Sequence, residues 1–401
     1  MKPLLFNSVV RLLWIGPLRR FRAEQPTVIA VTGSLGKTSA KDAIALVLGH
    51  SGRPTVKTVG NLGSDVGVAL SLLGFTAQPH GREWLWALWK SLTYLAKKPD
   101  GKPYYVLEYS SDKPGDVAFL ARKIAPDVGV ITQVSPVHLQ FFKNEQELIA
   151  EETALAGLLK PDGRLVTNAD DPNQRGLLGS ASVSLSEIQI APTAVGLRFK
   201  RNGTWYQTSV LGEHQLYALL LAVAVGELEK IPGRHICSAV AAYQVPAGRG
   251  RLIAGKQGIR IIDDTYNSSP KAAVEALIML RAAADGARSV AVLGRMNELG
   301  DEAAQLHAEV AAQATGLGLL VLVGEFAGVM TKAAVRAGQP LTKIVSFKTP
   351  EEAVESVPSL LQANDVVLVK GSQNGVRLER LVKEIMLEPE RAGELLVRQG
   401  H

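Results

Sequence analysis

Residues 27–39 read Thr-Val-Ile-Ala-Val-Thr-Gly-Ser-Leu-Gly-Lys-Thr-Ser. Val28 to Val31 is a short apolar run of the kind that forms a buried parallel strand. Gly33 and Gly36 permit a tight turn with backbone N–H groups facing inward, and Ser39 to Leu48 carries a helical pattern. Strand, glycine turn and helix N-terminus together make an anion site. Lys37 adds a point charge suited to β- and γ-phosphates, and Thr38 a hydroxyl placed for Mg²⁺. The spacing Gly-x-x-Gly-Lys-Thr is shorter than the full phosphate-loop signature, which would put a glycine at Val31.

Outward from this loop, strand-like and helix-like segments alternate, the mark of a parallel sheet with crossover helices. Strands are expected at Val28–Val31, Tyr104–Leu107, Val128–Thr132 and Arg164–Thr167. Residues 187–212 alternate around the turn signal Arg201-Asn-Gly-Thr204 and predict a small antiparallel sheet. Gly212 to Leu228 predicts a long helix, and the Pro/Gly break Val245–Gly250 a domain boundary. A second α/β series follows, with strands expected at Ile259–Ile262, Ser289–Leu293, Leu319–Val323, Ile344–Phe347 and Asp365–Val369. Its clearest helices are Pro270–Ala284 and Ala303–Ala314. The fold class is therefore α/β. A basic amphipathic segment (1–27) precedes a phosphate-loop parallel-sheet domain carrying a small antiparallel sheet (28–244), and a Rossmann-like C-terminal domain follows (245–401).

Composition narrows the function classes. The single cysteine, Cys237, excludes an intrachain disulfide and fits a reducing, cytoplasmic compartment. No run of 18 apolar residues predicts a transmembrane helix. Residues 1–27 hold a net +4 of the chain's +6, so the body is nearly neutral and nucleic acid is not the expected partner. Arg11 interrupts the apolar stretch of that segment, which argues against a signal peptide. Its aliphatic residues and arginines, with Trp14, suit peripheral contact of residues 1–22 with an anionic membrane, or a helix packed on the first domain. Trp84, Trp86, Trp89 and Tyr94 cluster within 82–98, a segment ending in Lys97 and Lys98, as core or as a partly exposed patch.

Several polar residues follow strand ends, where open α/β sheets bind ligands. Glu108 closes Tyr-Tyr-Val-Leu-Glu and suits a Mg²⁺ ligand. His138 lies just past another strand. Asp263, Asp264, Tyr266 and Asn267 follow the first strand of the second series, and Lys370-Gly-Ser372 follows its last. Each also has a plain reading as a surface acid, a structural histidine or a polar turn.

In order, these segments resemble the Mur ligase family. Thr32–Ser39 looks like that family's ATP loop, and Asn61-Leu-Gly-Ser-Asp-Val-Gly-Val-Ala-Leu70 its Asn-rich loop. Val106–Asp116 resembles the segment with a metal-binding glutamate, and Ile131–His138 the one with a metal-binding histidine. Asn168-Ala-Asp-Asp171 and Leu211-Gly-Glu-His214 recur in the same order. Gly248-Arg-Gly-Arg251, Asp263–Asn267, Val292–Gly300 and Val369–Ser372 most resemble the D-alanyl-D-alanine-adding branch.

The resemblance implies an ATP- and Mg²⁺-dependent ligase, a monomer taking a small peptide or sugar-nucleotide substrate. It would phosphorylate a carboxylate and let an amine attack the acyl phosphate, the second α/β domain closing on the nucleotide. ATP would meet Thr32, Gly33, Ser34, Leu35, Gly36, Lys37, Thr38 and Ser39, with Arg249, Asp264, Tyr266 and Asn267. Metal ligands would be Thr38, Ser64, Glu108 and His138, the catalytic groups Lys37, Glu108 and His138, and the substrate contacts Lys370 and Ser372.

Four departures stand beside it. Only some 27 residues precede the first strand, so the family's UDP-gripping domain is not expected. Where many members carry a carbamylated lysine, this chain has Glu151, Glu152 and Thr153. Arg295 replaces an expected aspartate, and Ala218 an adenine-contacting asparagine. Two alternatives therefore stay open: a same-fold ligase of another carboxylate, such as a polyglutamate or cofactor precursor, and a nucleotide-binding protein without catalysis.

Overall fold

The Thr27–Thr32 run is buried at every position, as a strand covered on both faces must be. It is the first strand (β1) of a computed structural model that describes residues 3–60, 62–94, 101–135, 141–193, 196–372 and 376–397. The chain divides into two compact units, residues 1–208 with 215–243, and residues 209–214 with 244–401.

The first unit opens with helices α1 (Pro3–Leu13) and α2 (Ile15–Glu24), then β1 and α3 (Lys37–Gly49). β2 (Thr55–Lys57), α4 (Asp65–Leu72), α5 (Glu83–Leu92), β3 (Tyr104–Glu108) and α6 (Asp116–Lys123) follow. Next come β4 (Val128–Ile131), α7 (Glu145–Thr153), β5 (Arg164–Asn168) and β6 (Ala181–Val183). The sheet order is β2-β3-β1-β4-β5-β6, parallel throughout. From β1 the chain winds to one side through β2 and β3, then to the other through β4 to β6. This makes β1 the switch strand, and its carboxyl end the place where such sheets open a crevice.

The small antiparallel sheet is β7 (Gln189–Thr193), β8 (Gly196–Arg201) and β9 (Thr204–Thr208), with Asn202-Gly203 at the expected hairpin turn. The helix expected from Gly212 begins only at Leu216 (α8, Leu216–Leu228), because residues 209–214 belong to the second unit. α8 is buried almost end to end, and α9 (Gly233–Ala242) completes the unit.

The N-terminal segment packs on this first unit. Val10, Leu13 and Trp14 are buried in its core. Trp14 is 1% exposed, so the indole that the sequence offered to a membrane interface is not available for one. Among the described residues, no helix is long and apolar enough to cross a membrane.

The second unit runs β10 (Arg251–Ala254), β11 (Arg260–Asp264), α10 (Pro270–Ala284), β12 (Ser289–Leu293), α11 (Ala303–Ala312), β13 (Leu319–Val323) and α12 (Ala327–Arg336). It continues with β14 (Ile344–Phe347), α13 (Pro350–Leu360), β15 (Val366–Lys370) and α14 (Glu379–Ile385), and closes with the short α15 (Ala392–Leu395). The order is β10-β11-β15-β12-β13-β14, with only β10 antiparallel to its neighbour. The last long strand thus inserts between the first two of the parallel series, which sets Asp264 in register with Lys370.

Candidate active site

In the first unit the loop between β1 and α3 is shaped by two glycines. Gly33 has φ +125°, and a Cβ there would lie 2.1 Å from Thr132 Oγ1. Gly36 has φ +84° and precedes the first residue of α3. The Ser34 and Leu35 amides donate to the Gln133 carbonyl at 2.7 and 3.1 Å, tying the loop to the end of β4. Lys37 folds back so that its ammonium meets the carbonyls of Gly33 and Ser34. The helix begins at Lys37, so the positive end of its dipole lies at the loop.

Below the loop, Thr38 Oγ1 donates to the Glu108 carboxylate, 3.3 and 3.1 Å from its two oxygens. Both residues are buried. Parallel pairing of β1 with β3 sets Val31 opposite Glu108, which is why Thr38, in the first turn of α3, meets a residue some seventy positions later. The Glu108 amide donates to Thr58 Oγ1 at 3.0 Å. Lys41, one turn after Lys37, is wholly buried, with Nζ 3.6 Å from Glu108 and 2.5 Å from the Gly60 carbonyl. Burial lowers its pKa from the ordinary lysine value, against the opposing pull of Asp42 and Glu108. The sequence motifs do not single out Lys41, although Ile44, Ala45 and Leu48, three, four and seven positions on, mark its side of α3 as a buried one.

Gly63 comes against the same carboxylate. A Cβ on Gly63 would sit 2.3 Å from Ser110 Oγ and 3.1 Å from Glu108 Cγ. Ser64 is exposed and N-caps α4, accepting from the Gly67 amide at 3.2 Å. On α7 two neighbouring acids part ways. Glu151 accepts from the Gly115 and Val117 amides at 2.8 Å each, capping α6. Glu152 accepts from Ser111 Oγ at 2.7 Å and Ser34 Oγ at 3.3 Å, and so turns toward the loop. His138 lies outside the described residues. Ala218 is buried on α8.

In the second unit the Lys370 ammonium pairs with Asp264 at 2.6 Å and donates to the Asn267 carbonyl at 3.0 Å, itself 2% exposed. Ser372 Oγ is bonded to the Ser268 amide and carbonyl and to the Asn297 amide. These two side chains therefore pin together the turns that follow β11, β12 and β15. Asp263 accepts from the Gly248 amide and from Thr265, and burial pushes its carboxyl up to about 6. Arg249 stacks on the Tyr266 ring, 4.1 Å from its centroid. Arg295 pairs with Glu325 at 2.7 Å, both about half exposed, a bond of small energetic weight.

Comparison with known proteins gives a consistent picture. The Mur ligase middle domain model matches residues 31–226, and the model described as Mur ligase, glutamate ligase domain matches residues 248–373. The chain is 26% identical over 375 residues to the UDP-N-acetylmuramoyl-tripeptide–D-alanyl-D-alanine ligase of Bacillus subtilis, covering 90% of this chain and 76% of that one. A crystal structure of MurF from Acinetobacter baumannii superposes with a TM-score of 0.76 at 25% identity, covering 94% of this chain and 80% of that one. MurF from Thermotoga maritima in complex with ADP superposes at 0.75 with 24% identity, covering 96% and 84%.

Proposed function

The chain belongs to the Mur ligase family, and on that premise we propose that it uses ATP to join D-alanyl-D-alanine, through an amide bond, to the terminal carboxylate of a peptidoglycan-precursor peptide. The observation that carries this reading is the convergence of Lys37, Thr38 and Glu108 at the carboxyl edge of the switch strand.

In this reading the ATP phosphates lie over the Gly33–Ser39 loop, at the positive end of α3. The Lys37 ammonium neutralises charge that grows on the transferring phosphoryl group. The Thr38 hydroxyl and the Glu108 carboxylate are hard oxygen donors within 3.3 Å of each other, a donor set that suits Mg²⁺. Bound there, the ion would draw charge from the phosphate oxygens. A peptide carboxylate oxygen attacks the γ-phosphorus, releasing ADP and leaving an acyl phosphate. The D-alanyl-D-alanine amine attacks the acyl carbon, and the tetrahedral intermediate loses phosphate and a nitrogen-bound proton to give the amide. In the second unit Arg249, Asp264, Tyr266 and Asn267 are the proposed nucleotide contacts, and Lys370 and Ser372 the proposed substrate contacts.

The test is ATP-dependent phosphate release and amide formation with a panel of carboxylates, each assayed with D-alanyl-D-alanine. Product with a UDP-muramoyl tripeptide supports the proposal. Product only with carboxylates lacking that sugar nucleotide would assign the chain to another substrate. ATP binding without turnover of any of them would overturn catalysis itself.

A further inference from the structure

The outer face of α5 is apolar where a surface helix is ordinarily polar. Leu85, Trp86, Trp89 and Leu92 are 69, 51, 60 and 43% exposed, and their spacing puts them on one side of the helix. The opposite side, with Trp84, Ala87 and Leu88, packs into the core of the first unit.

The elbow between α1 and α2 is clamped to this helix. The Gly16 amide donates to Ser91 Oγ at 2.9 Å, and that hydroxyl reaches the Leu13 carbonyl at 2.8 Å. A Cβ on Gly16 would sit 2.7 Å from the Ser91 carbonyl oxygen, so the approach is backbone-close. Arg19 Nη1 donates to the Leu92 carbonyl at 2.7 Å. The clamp sets exposed Leu12, Arg11, Arg19 and Arg22 on the helices that flank α5. On α5 itself Lys90 lies over the Trp86 ring, 4.9 Å from its centroid. Acids are scarce here. Across these three helices they are Glu24, paired with Arg20, and Glu83, which accepts from the His80 amide.

We propose that this surface docks on an anionic lipid bilayer. Leu85, Trp86, Trp89, Leu92 and Leu12 enter the interface, and Arg11, Arg19, Arg22 and Lys90 meet lipid phosphates. Indole and leucine side chains rimmed by cations match the apolar boundary and charged headgroups of such a membrane. A second copy presenting the same face would set arginines against arginines, which disfavours self-association. The contact belongs to α5 and its flanking helices rather than to the N-terminal segment alone, whose Trp14 is buried.

The test uses the full chain and phosphatidylcholine vesicles with and without phosphatidylglycerol, read by co-sedimentation and by tryptophan emission. The expected result is binding to the phosphatidylglycerol vesicles with a blue shift, weakened by salt, and little binding to phosphatidylcholine alone. Trp86→Ser with Trp89→Ser should lose at least tenfold in vesicle affinity while keeping a cooperative unfolding transition, with a lower midpoint from the lost Phe75 contact. Arg11→Gln with Arg22→Gln should lose roughly fivefold for each arginine removed. No binding to anionic vesicles at low salt would overturn the proposal. So would undiminished binding by the double tryptophan variant, or concentration-dependent self-association abolished by that same variant.

Discussion

The Lys41 ammonium stands 3.6 Å from the Glu108 carboxylate, in a place with no solvent access on the lysine side. A buried cation so placed, with Asp42 also 3.6 Å away, offsets negative charge where the Thr38 hydroxyl, the strand-end acid and the Gly60 carbonyl share one small volume. Replacing it with an apolar side chain of similar length leaves the acid without its buried counter-charge. Lys41→Met should therefore cost roughly 3 kcal/mol of stability. Urea denaturation monitored by circular dichroism measures this, and an unchanged midpoint would deny the pair its structural weight.

Lys37→Ala should abolish ATP turnover while leaving the fold intact, since Lys37 is the loop's single cation and, among the described residues, its ammonium bonds to the loop's own carbonyls. The loss should reach at least the hundred- to thousand-fold scale of one deleted transition-state donor. Steady-state phosphate release gives the number, and near-normal turnover would remove this loop from the chemistry.

Glu108→Gln keeps the shape of the side chain and the hydrogen bond from Thr38 but removes the charge. If the ion binds here, half-saturation by Mg²⁺ should rise by tenfold or more with the protein still folded. A Mg²⁺ titration of the rate that overlays the wild-type curve would place the ion elsewhere.

Asp263 supplies a pH signature of the second unit. Its folded-state pKa is raised by burial to about 6, above the ordinary aspartate value of 3.8. The folded protein therefore holds this proton more tightly than the unfolded chain does. The stabilisation from protonation is fully present below the unfolded value and is lost as pH rises through about 6. Relative to Asp263→Asn, the wild type should gain on the order of 2 kcal/mol between neutral pH and pH about 4. Denaturation of both proteins across that window tests it, and parallel pH curves would contradict it.

Gly33→Ala combines a positive φ with a Cβ 2.1 Å from the Thr132 hydroxyl oxygen, so either the loop or the segment just after β4 must move. A loss of a few kcal/mol is expected, together with weaker nucleotide binding. Differential scanning calorimetry and nucleotide titration read the two effects separately, and a variant normal in both would show that the loop relaxes freely.

The glycine turn between β1 and α3 and the place of Glu108 at the end of β3 were legible in the sequence because each is signalled locally, by glycine spacing and by an acid closing an apolar run. The main strands and the small antiparallel sheet followed from the same short-range patterns. β2 and β6, three residues each, and the antiparallel β10 carry too few residues to show a period. Lys41 looked like an ordinary helix lysine, because its partners at Gly60 and Glu108 come from other elements. Glu151 and Glu152 are adjacent in sequence, yet a helix turns about 100° per residue, so one caps α6 while the other meets Ser34 and Ser111. The exposure of Trp86 and Trp89 was equally hidden, since a helix apolar on both faces does not reveal which face is covered.

The position of β1 also has a consequence for how the molecule is made. This strand is completed at Thr32, but its two neighbours are Tyr104–Glu108 and Val128–Ile131. On a translating ribosome the loop would leave the exit tunnel with neither edge of its strand paired. At ordinary elongation speeds the wait for the second neighbour is roughly 5 to 20 seconds. During that interval an apolar segment from Val28 to Val31 is exposed on both sides. Biogenesis of this enzyme should accordingly lean on nascent-chain chaperones, and slowing codons placed between the two neighbouring strands should lower its soluble yield more than the same codons placed after the first unit is complete.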